Sequence, residues 1–116
     1  MEIFRKSEIQ EDGRPDGRTI QKFLSESYDI SFNSMLMLTS EIPKGVHEPT
    51  HYHAESIEIF YYLTPGNITI EGKDYNLSEG DMVVLEKNDK HSIQAETDMK
   101  LLVIKYPDVQ DKIIVE

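Results

Sequence analysis

Histidine is scarce in this chain of 116 residues, yet three of its four copies, His47, His51 and His53, share one stretch, GVHEPTHYHAESIE, from Gly45 to Glu58. The fourth, His91, opens the segment HSIQAE. Neutral imidazole and carboxylate are good ligands for first-row divalent metals, so these histidines together with Glu58 suggest a metal site. The chain has no cysteine, which leaves nitrogen and oxygen as the only donors. Side chains alternate faces along a strand, so His51 and His53 of HYH point the same way, about 7 Å apart, with Tyr52 opposite. Glu58 has the wrong parity to continue that strand, but the short polar AES can turn the chain and return Glu58 beside the histidines. An H-x-H pair alone is a common surface feature. The four groups become a site only where a fold gathers them.

The segments that must do the gathering are strands. RTIQKFL, SFNSMLMLTSEI, SIEIFYYL, NITIEG, DMVVLE, HSIQAE, KLLVIKY and KIIVE are short and rich in Ile, Val, Leu, Phe or Tyr. Turn signals separate them: EDGRPDGR, PKG, TPGN, EGKD, SEGD and KNDK. No segment sustains a 3.6-residue amphipathic period, so no long helix is expected. Regular short strands with dense turns predict an all-β sandwich or barrel, and the length suits one domain over residues 1–116. In HSIQAE, His91, Ile93 and Ala95 should face inward and Ser92, Gln94 and Glu96 outward. The first ten or so residues, and KIIVE after Pro107-Asp108, are expected as edge strands or arms.

Taken together, these residues resemble the cupin superfamily, a jelly-roll β-barrel. Its first motif reads G-x5-H-x-H-x3,4-E-x6-G; here Gly45, His51, His53 and Glu58 match in order, and Gly66 follows after seven residues rather than six. Its second motif reads G-x5-P-x-G-x2-H-x3-N. Gly80 and His91 match it, whereas Glu86, Asn88 and Ala95 stand where proline, glycine and asparagine are expected. The motifs cover about 45–66 and 80–95. The resemblance implies that His51, His53, Glu58 and His91 are metal ligands, with iron, manganese or nickel favoured and zinc or cobalt as further candidates. It also implies open coordination positions where water, dioxygen or a chelating substrate can bind. Dioxygenase-type chemistry on a small oxygenated molecule is the leading expectation. Isomerase, decarboxylase or lyase chemistry, non-catalytic small-molecule binding, and a purely structural metal are the alternatives.

Other residues are candidates for lesser roles. His47 lies in what reads as a loop before His51; it could contact the site or be an ordinary surface histidine. Phe60 and Tyr62 share parity with Glu58 and should line the interior, where Tyr62 is a candidate acid or substrate contact and otherwise a core tyrosine. Ile57, Ile59 and Tyr61 then form an apolar outer face that needs a cover, from a homodimer partner or an N-terminal arm. Met35 and Met37 are expected to fill the core, with Ser31 and Asn33 on the same face.

The composition limits the partners. A formal charge of −10, with 22 acidic residues against 12 basic, repels phosphate backbones and anionic membrane surfaces, so neither nucleic acid nor membrane is an expected partner. No apolar run approaches the roughly 20 residues of a membrane span, and MEIFRKSEIQEDG lacks a secretory signal's apolar region. The expected compartment is the cytoplasm.

Overall fold

Apolar residues at alternate positions commit most of the chain to strands, each with one face to bury. The computed structural model describes residues 1–13, 15, 19–21 and 35–116. They form twelve strands: β1 (Glu2–Phe4), β2 (Asp12–Gly13), β3 (Thr19–Ile20), β4 (Leu36–Ile42), β5 (His47–His53), β6 (Ile57–Tyr62), β7 (Gly66–Ile70), β8 (Lys73–Leu77), β9 (Met82–Leu85), β10 (His91–Gln94), β11 (Met99–Tyr106) and β12 (Lys112–Ile114). A single 3-10 turn, Lys6–Glu8, is the only helical element among the described residues. No helix among these residues is long and apolar enough to cross a membrane.

Two five-stranded antiparallel sheets carry the architecture, one ordered β1-β9-β6-β11-β4 and the other β12-β5-β10-β7-β8; β2 and β3 pair separately. The core draws on both. Phe60, Tyr62, Val83, Leu85, Leu101 and Val103 come from the first sheet, and Ile68, Ile70, Leu77 and Ile93 from the second. Both chain ends supply edge strands, β1 against β9 and β12 against β5. This is the expected all-β jelly-roll.

The alternation expected for HSIQAE is present: His91, Ile93 and Ala95 are buried, while Gln94 and Glu96 are exposed. In β6, Glu58, Phe60 and Tyr62 are buried and Ile57, Ile59 and Tyr61 lie half-exposed on the outer face. Of the described N-terminal residues, Glu2–Phe4 extend the sheet edge beyond β9 as strand β1.

Three expectations need correction. GVHEPT is not a loop throughout, because β5 begins at His47, whose register partner is Gln94. KDYNL, of which only Lys73 and Asp74 are assigned above, to the turn EGKD, is strand β8. It pairs with β7 through the two-residue turn Glu71-Gly72, both at positive φ (48° and 77°), as such a hairpin requires. Its weak pattern reflects its place at a sheet edge, where little but Leu77 is buried. Met37 does not fill the core. It is 61% exposed on the outer face of edge strand β4, and Ile42 is the buried residue of that strand. Ser31, Asn33 and most of RTIQKFL lie outside the described residues.

Candidate metal centre

Strand register brings the four side chains together. His51 on β5 and His91 on β10 are direct cross-strand partners, with ring centroids 4.2 Å apart. His53 lies two residues further along β5 on the same face, its ring 5.4 Å from that of His51. Glu58 comes from β6 in the facing sheet, so the cluster spans the gap between the two sheets. One nitrogen from each histidine and one Glu58 oxygen all lie within 4.8 Å of one another. His51 and His91 are each 2% exposed, His53 8% and Glu58 9%.

Each imidazole is held from behind. His51 Nδ1 meets the Pro49 carbonyl at 2.8 Å, His91 Nδ1 the Asp89 carbonyl at 2.9 Å, and His53 Nδ1 the Asp111 carboxylate at 2.9 Å. A carbonyl or carboxylate can only accept, so Nδ1 must donate in each case, which sends the Nε2 lone pair of the neutral ring toward the centre. His53 Nε2 is 2.9 Å, and His91 Nε2 3.6 Å, from the same Glu58 Oε1. Glu58 Oε1 and His91 Nε2 are buried without a hydrogen-bond partner. Buried polar atoms are rarely left so, and converging acceptors call for a cation between them.

The electrostatics agree. Burial opposes ionisation of Glu58, but the imidazoles of His53 and His91 beside it prevail and lower its pKa to about 2. Contact with Glu58, and then with Asp111, raises the pKa of His53 in spite of its burial. Burial, reinforced by the neighbouring His91, lowers that of His51. Glu58 is thus an anion at the heart of a largely desolvated cluster. Three neutral nitrogens and one carboxylate fit a divalent transition ion, and four protein donors leave positions free on an octahedral centre.

The supporting residue that sequence reasoning missed is Asp111. Its Oδ1 holds His53, and its Oδ2 accepts from the backbone amides of Glu55 and Ser56 at 2.9 and 2.7 Å. Lys105 Nζ lies 3.3 Å from Oδ1. Burial alone would raise its pKa, but the hydrogen bonds from His53 and the two amides hold it well below the usual carboxylate range. One aspartate therefore organises the β5–β6 turn and orients the His53 ring. Nothing marked it in PDVQDKIIVE, because its hydrogen-bond donors His53, Glu55 and Ser56 lie more than fifty residues away.

The two further candidates lie elsewhere. The Tyr62 side chain is fully buried, its hydroxyl donates to the Asn67 carbonyl at 3.4 Å, and burial raises its pKa. It stands four residues along β6 from Glu58, about 13 Å at strand rise, as a core tyrosine. His47 is exposed and pairs with Glu116, which raises its pKa. Neither belongs to the converging group. Phe60 does approach, edge-on to His91 with ring centroids 6.1 Å apart.

The departures from the second motif have structural counterparts. Asn88 stands in the glycine position with φ +67°, a conformation that asparagine tolerates better than other side chains. Its amide donates to the His53 carbonyl at 2.9 Å, tying that loop to β5. On either side of Ala95, Asn67 braces the backbone: its Nδ2 donates to the Gln94 carbonyl at 2.8 Å, and its Oδ1 accepts from the Glu96 amide at 3.3 Å.

Two facing antiparallel sheets with three histidines on one and a glutamate on the other define a β-barrel with a candidate internal metal centre. The cupin domain family matches residues 38–105, more than half of the sequence, and the chain belongs to that family. Among solved structures, it is similar to the salicylate 1,2-dioxygenase of Pseudaminobacter salicylatoxidans, with a TM-score of 0.57 and 22% identity over 62% of this chain and 21% of that one. The same dioxygenase as its gentisate adduct matches at 0.57 and 23%, over 62% and 20% of the two chains. The DMSP lyase DddQ of Ruegeria pomeroyi DSS-3 matches at 0.61 and 22%, over 71% of this chain and 43% of the lyase. The chain therefore spans about a fifth of the dioxygenase and less than half of the lyase, and at these identities the likeness is one of fold. No match was found among curated proteins.

Proposed function

We propose that the protein is a metal-dependent cupin acting on a small oxygenated organic molecule, with dioxygenase-type chemistry as the leading reading. The observation that carries it is the pair of buried, partnerless acceptors, Glu58 Oε1 and His91 Nε2, facing two further imidazole nitrogens. Iron, manganese or nickel suits this sulfur-free donor set, with zinc or cobalt as further candidates. When bound, such an ion supplies a Lewis-acidic centre with positions for dioxygen or a chelating substrate. The chain's own contribution is orientation and exclusion of water. Pro49, Asp89 and Asp111 hold the Nδ1 protons, Glu58 supplies the anionic ligand, and Phe60 walls the side of His91.

Aromatic and lyase substrates are both reasonable starting points, because a salicylate dioxygenase and a DMSP lyase share this fold. The test begins with metal analysis of protein purified without chelators, then reconstitution with Fe²⁺, Mn²⁺ or Ni²⁺. Oxygen uptake follows with salicylate, gentisate, catechols, diketones and flavonoids, and DMSP turnover is assayed in parallel. Near-stoichiometric metal that vanishes when His51 and His53 are both replaced by alanine supports the centre; normal metal in that variant sinks it. Saturable ligand binding without turnover favours a binding module over an enzyme. The half-exposed outer face of Ile57, Ile59 and Tyr61 further suggests a homodimer formed through this sheet.

A further inference from the structure

Strand β12 stands at one edge of its sheet, with β5 on one side and no strand on the other among the described residues. An open edge presents unpaired amides and carbonyls, and proteins usually block it with charge, proline or a bulge. The opposite edge of the same sheet, β8, carries charge at Lys73 and Asp74. The β12 edge is apolar instead: within KIIVE, Ile113 is 41%, Ile114 58% and Val115 48% exposed.

Register on β5 divides the backbone of this segment. Lys112 pairs with His53, Ile113 with Tyr52 and Ile114 with His51, and Val115 continues the series by donating to the Thr50 carbonyl at 2.9 Å. At the other end the Asp111 carbonyl accepts from the Ala54 amide at 3.3 Å. In an antiparallel ladder, alternate residues turn their amides and carbonyls to the same neighbour. Asp111, Ile113 and Val115 therefore face β5, and Lys112, Ile114 and Glu116 offer theirs outward.

The outward set is complementary to itself. When two KIIVE segments pair antiparallel about a two-fold axis at Ile114, each Ile114 stands opposite the other, Ile113 opposite Val115, and Lys112 opposite Glu116. Directly opposite side chains share a face, so apolar groups touch at the centre and a cation meets a carboxylate at either end. Each outward amide also finds a carbonyl. His47 and Thr50 already hold the Glu116 carboxylate at the sheet margin. In a chain of net charge −10, this match offsets like-charge repulsion where two copies meet, and its symmetry is that of an isologous contact.

We propose that the open edge of β12 is a docking surface for a second copy of this chain, through antiparallel pairing of residues 112–116 with their counterparts. The contact lies on the other sheet from the outer face of Ile57, Ile59 and Tyr61 and does not depend on the metal reading. So short a segment buries well under the roughly 800 Å² per partner of a standard interface, so the pairing is weak and forms at high protein concentration.

The test exploits the absence of cysteine. Opposite α-carbons of a hydrogen-bonded antiparallel pair lie about 5.5 Å apart, within the span of a disulfide. Two copies of Val115 would lie on opposite sides of the axis, about 8–9 Å apart and out of reach. Full-length Ile114→Cys and Val115→Cys are oxidised with diamide at high protein concentration and low ionic strength, and thermal melts check folding. Ile114→Cys should form the disulfide dimer about tenfold faster. Adding Lys112→Glu or Glu116→Lys to Ile114→Cys should slow it about three- to fivefold, because like charges then face each other at both ends. An equal mixture of these two double variants should restore the rate, since the mixed pair alone matches cation to carboxylate at both ends. Equal rates at positions 114 and 115 mean random collision, or an edge kept for another protein's peptide, and overturn the proposal. A fast crosslink at 114 that the mixture does not restore overturns the antiparallel register. In the unaltered protein the Ile114 amide should exchange with deuterium more slowly as concentration rises, and a rate independent of concentration overturns the pairing without recourse to any variant.

Discussion

Replacing Asp111 should damage both the fold and the metal centre, and the two effects can be separated. Its carboxylate accepts from His53 Nδ1 and from the amides of Glu55 and Ser56, beside the Lys105 ammonium. Asp111→Ala removes all of these acceptors at once. The Glu55 residue is exposed and its amide can turn to water, but Ser56 is 1% exposed and His53 8%. Two buried donors lose a charged acceptor, each worth about 1.5–2 kcal/mol, so the metal-free protein should lose about 3–4 kcal/mol. For a domain of this size that lowers the melting temperature by roughly 10–20 °C. Asp111→Asn keeps one carbonyl oxygen, so either the loop amides or His53 then face an NH2 group. It should melt between the two proteins, yet bind Mn²⁺ about 10- to 100-fold more weakly, as expected when the partner orienting a metal-bound histidine is lost. Differential scanning calorimetry and Mn²⁺ titration read the two effects. A fall of less than about 3 °C in Asp111→Ala, with unchanged Mn²⁺ affinity in both variants, would refute the claim that this aspartate orients His53.

Three further outcomes are expected. Asp81 is 2% exposed and accepts from the Ser78 and Lys6 amides and from Arg5; burial opposes its ionisation, but these bonds lower its pKa. Its contribution is therefore complete above the ordinary carboxylate pKa of about 4 and lost as pH falls through the lower folded value, so urea unfolding of Asp81→Asn should show a shallower acid slope than the unaltered protein. Gly66→Ala would place its Cβ 2.9 Å from Tyr62 Cε2 and Met99 Sδ, and should cost about 1–3 kcal/mol in chemical denaturation; an unchanged midpoint would show that these side chains yield freely. Ile59→Lys should convert a dimer to monomer in sedimentation, whereas an unchanged mass would place any interface elsewhere.

Much of this protein was legible from local pattern. Strand alternation acts between adjacent residues, so HSIQAE and SIEIFYYL showed their buried faces without tertiary information, and both chain ends were recognisable as edge strands. The four converging residues were legible for a related reason: a histidine pair two apart, a turn and a returning glutamate are local, and the family motif linked them to His91. KDYNL escaped because an edge strand buries little and need not be apolar. Met37 misled because methionine suits a core but equally an outer face.

What only the tertiary structure decided depends on register and on contacts between distant segments. Asp111 meets His53 across 58 positions of sequence, and nothing near either residue announces the other. Glu48 and His51, three apart on β5, should face opposite ways, yet they lie 3.2 Å apart at a register shift against β10, and such a mismatch belongs to two strands and to neither alone. Tyr62 has the right parity but the wrong depth, because alternation states which face a side chain takes and not how far along the barrel its partners lie. The sequence by itself determined the strands, their faces and the candidate donor set, all properties of neighbouring residues. The folded chain decided which donors converge and which carboxylates attend them, since those depend on how separate strands align.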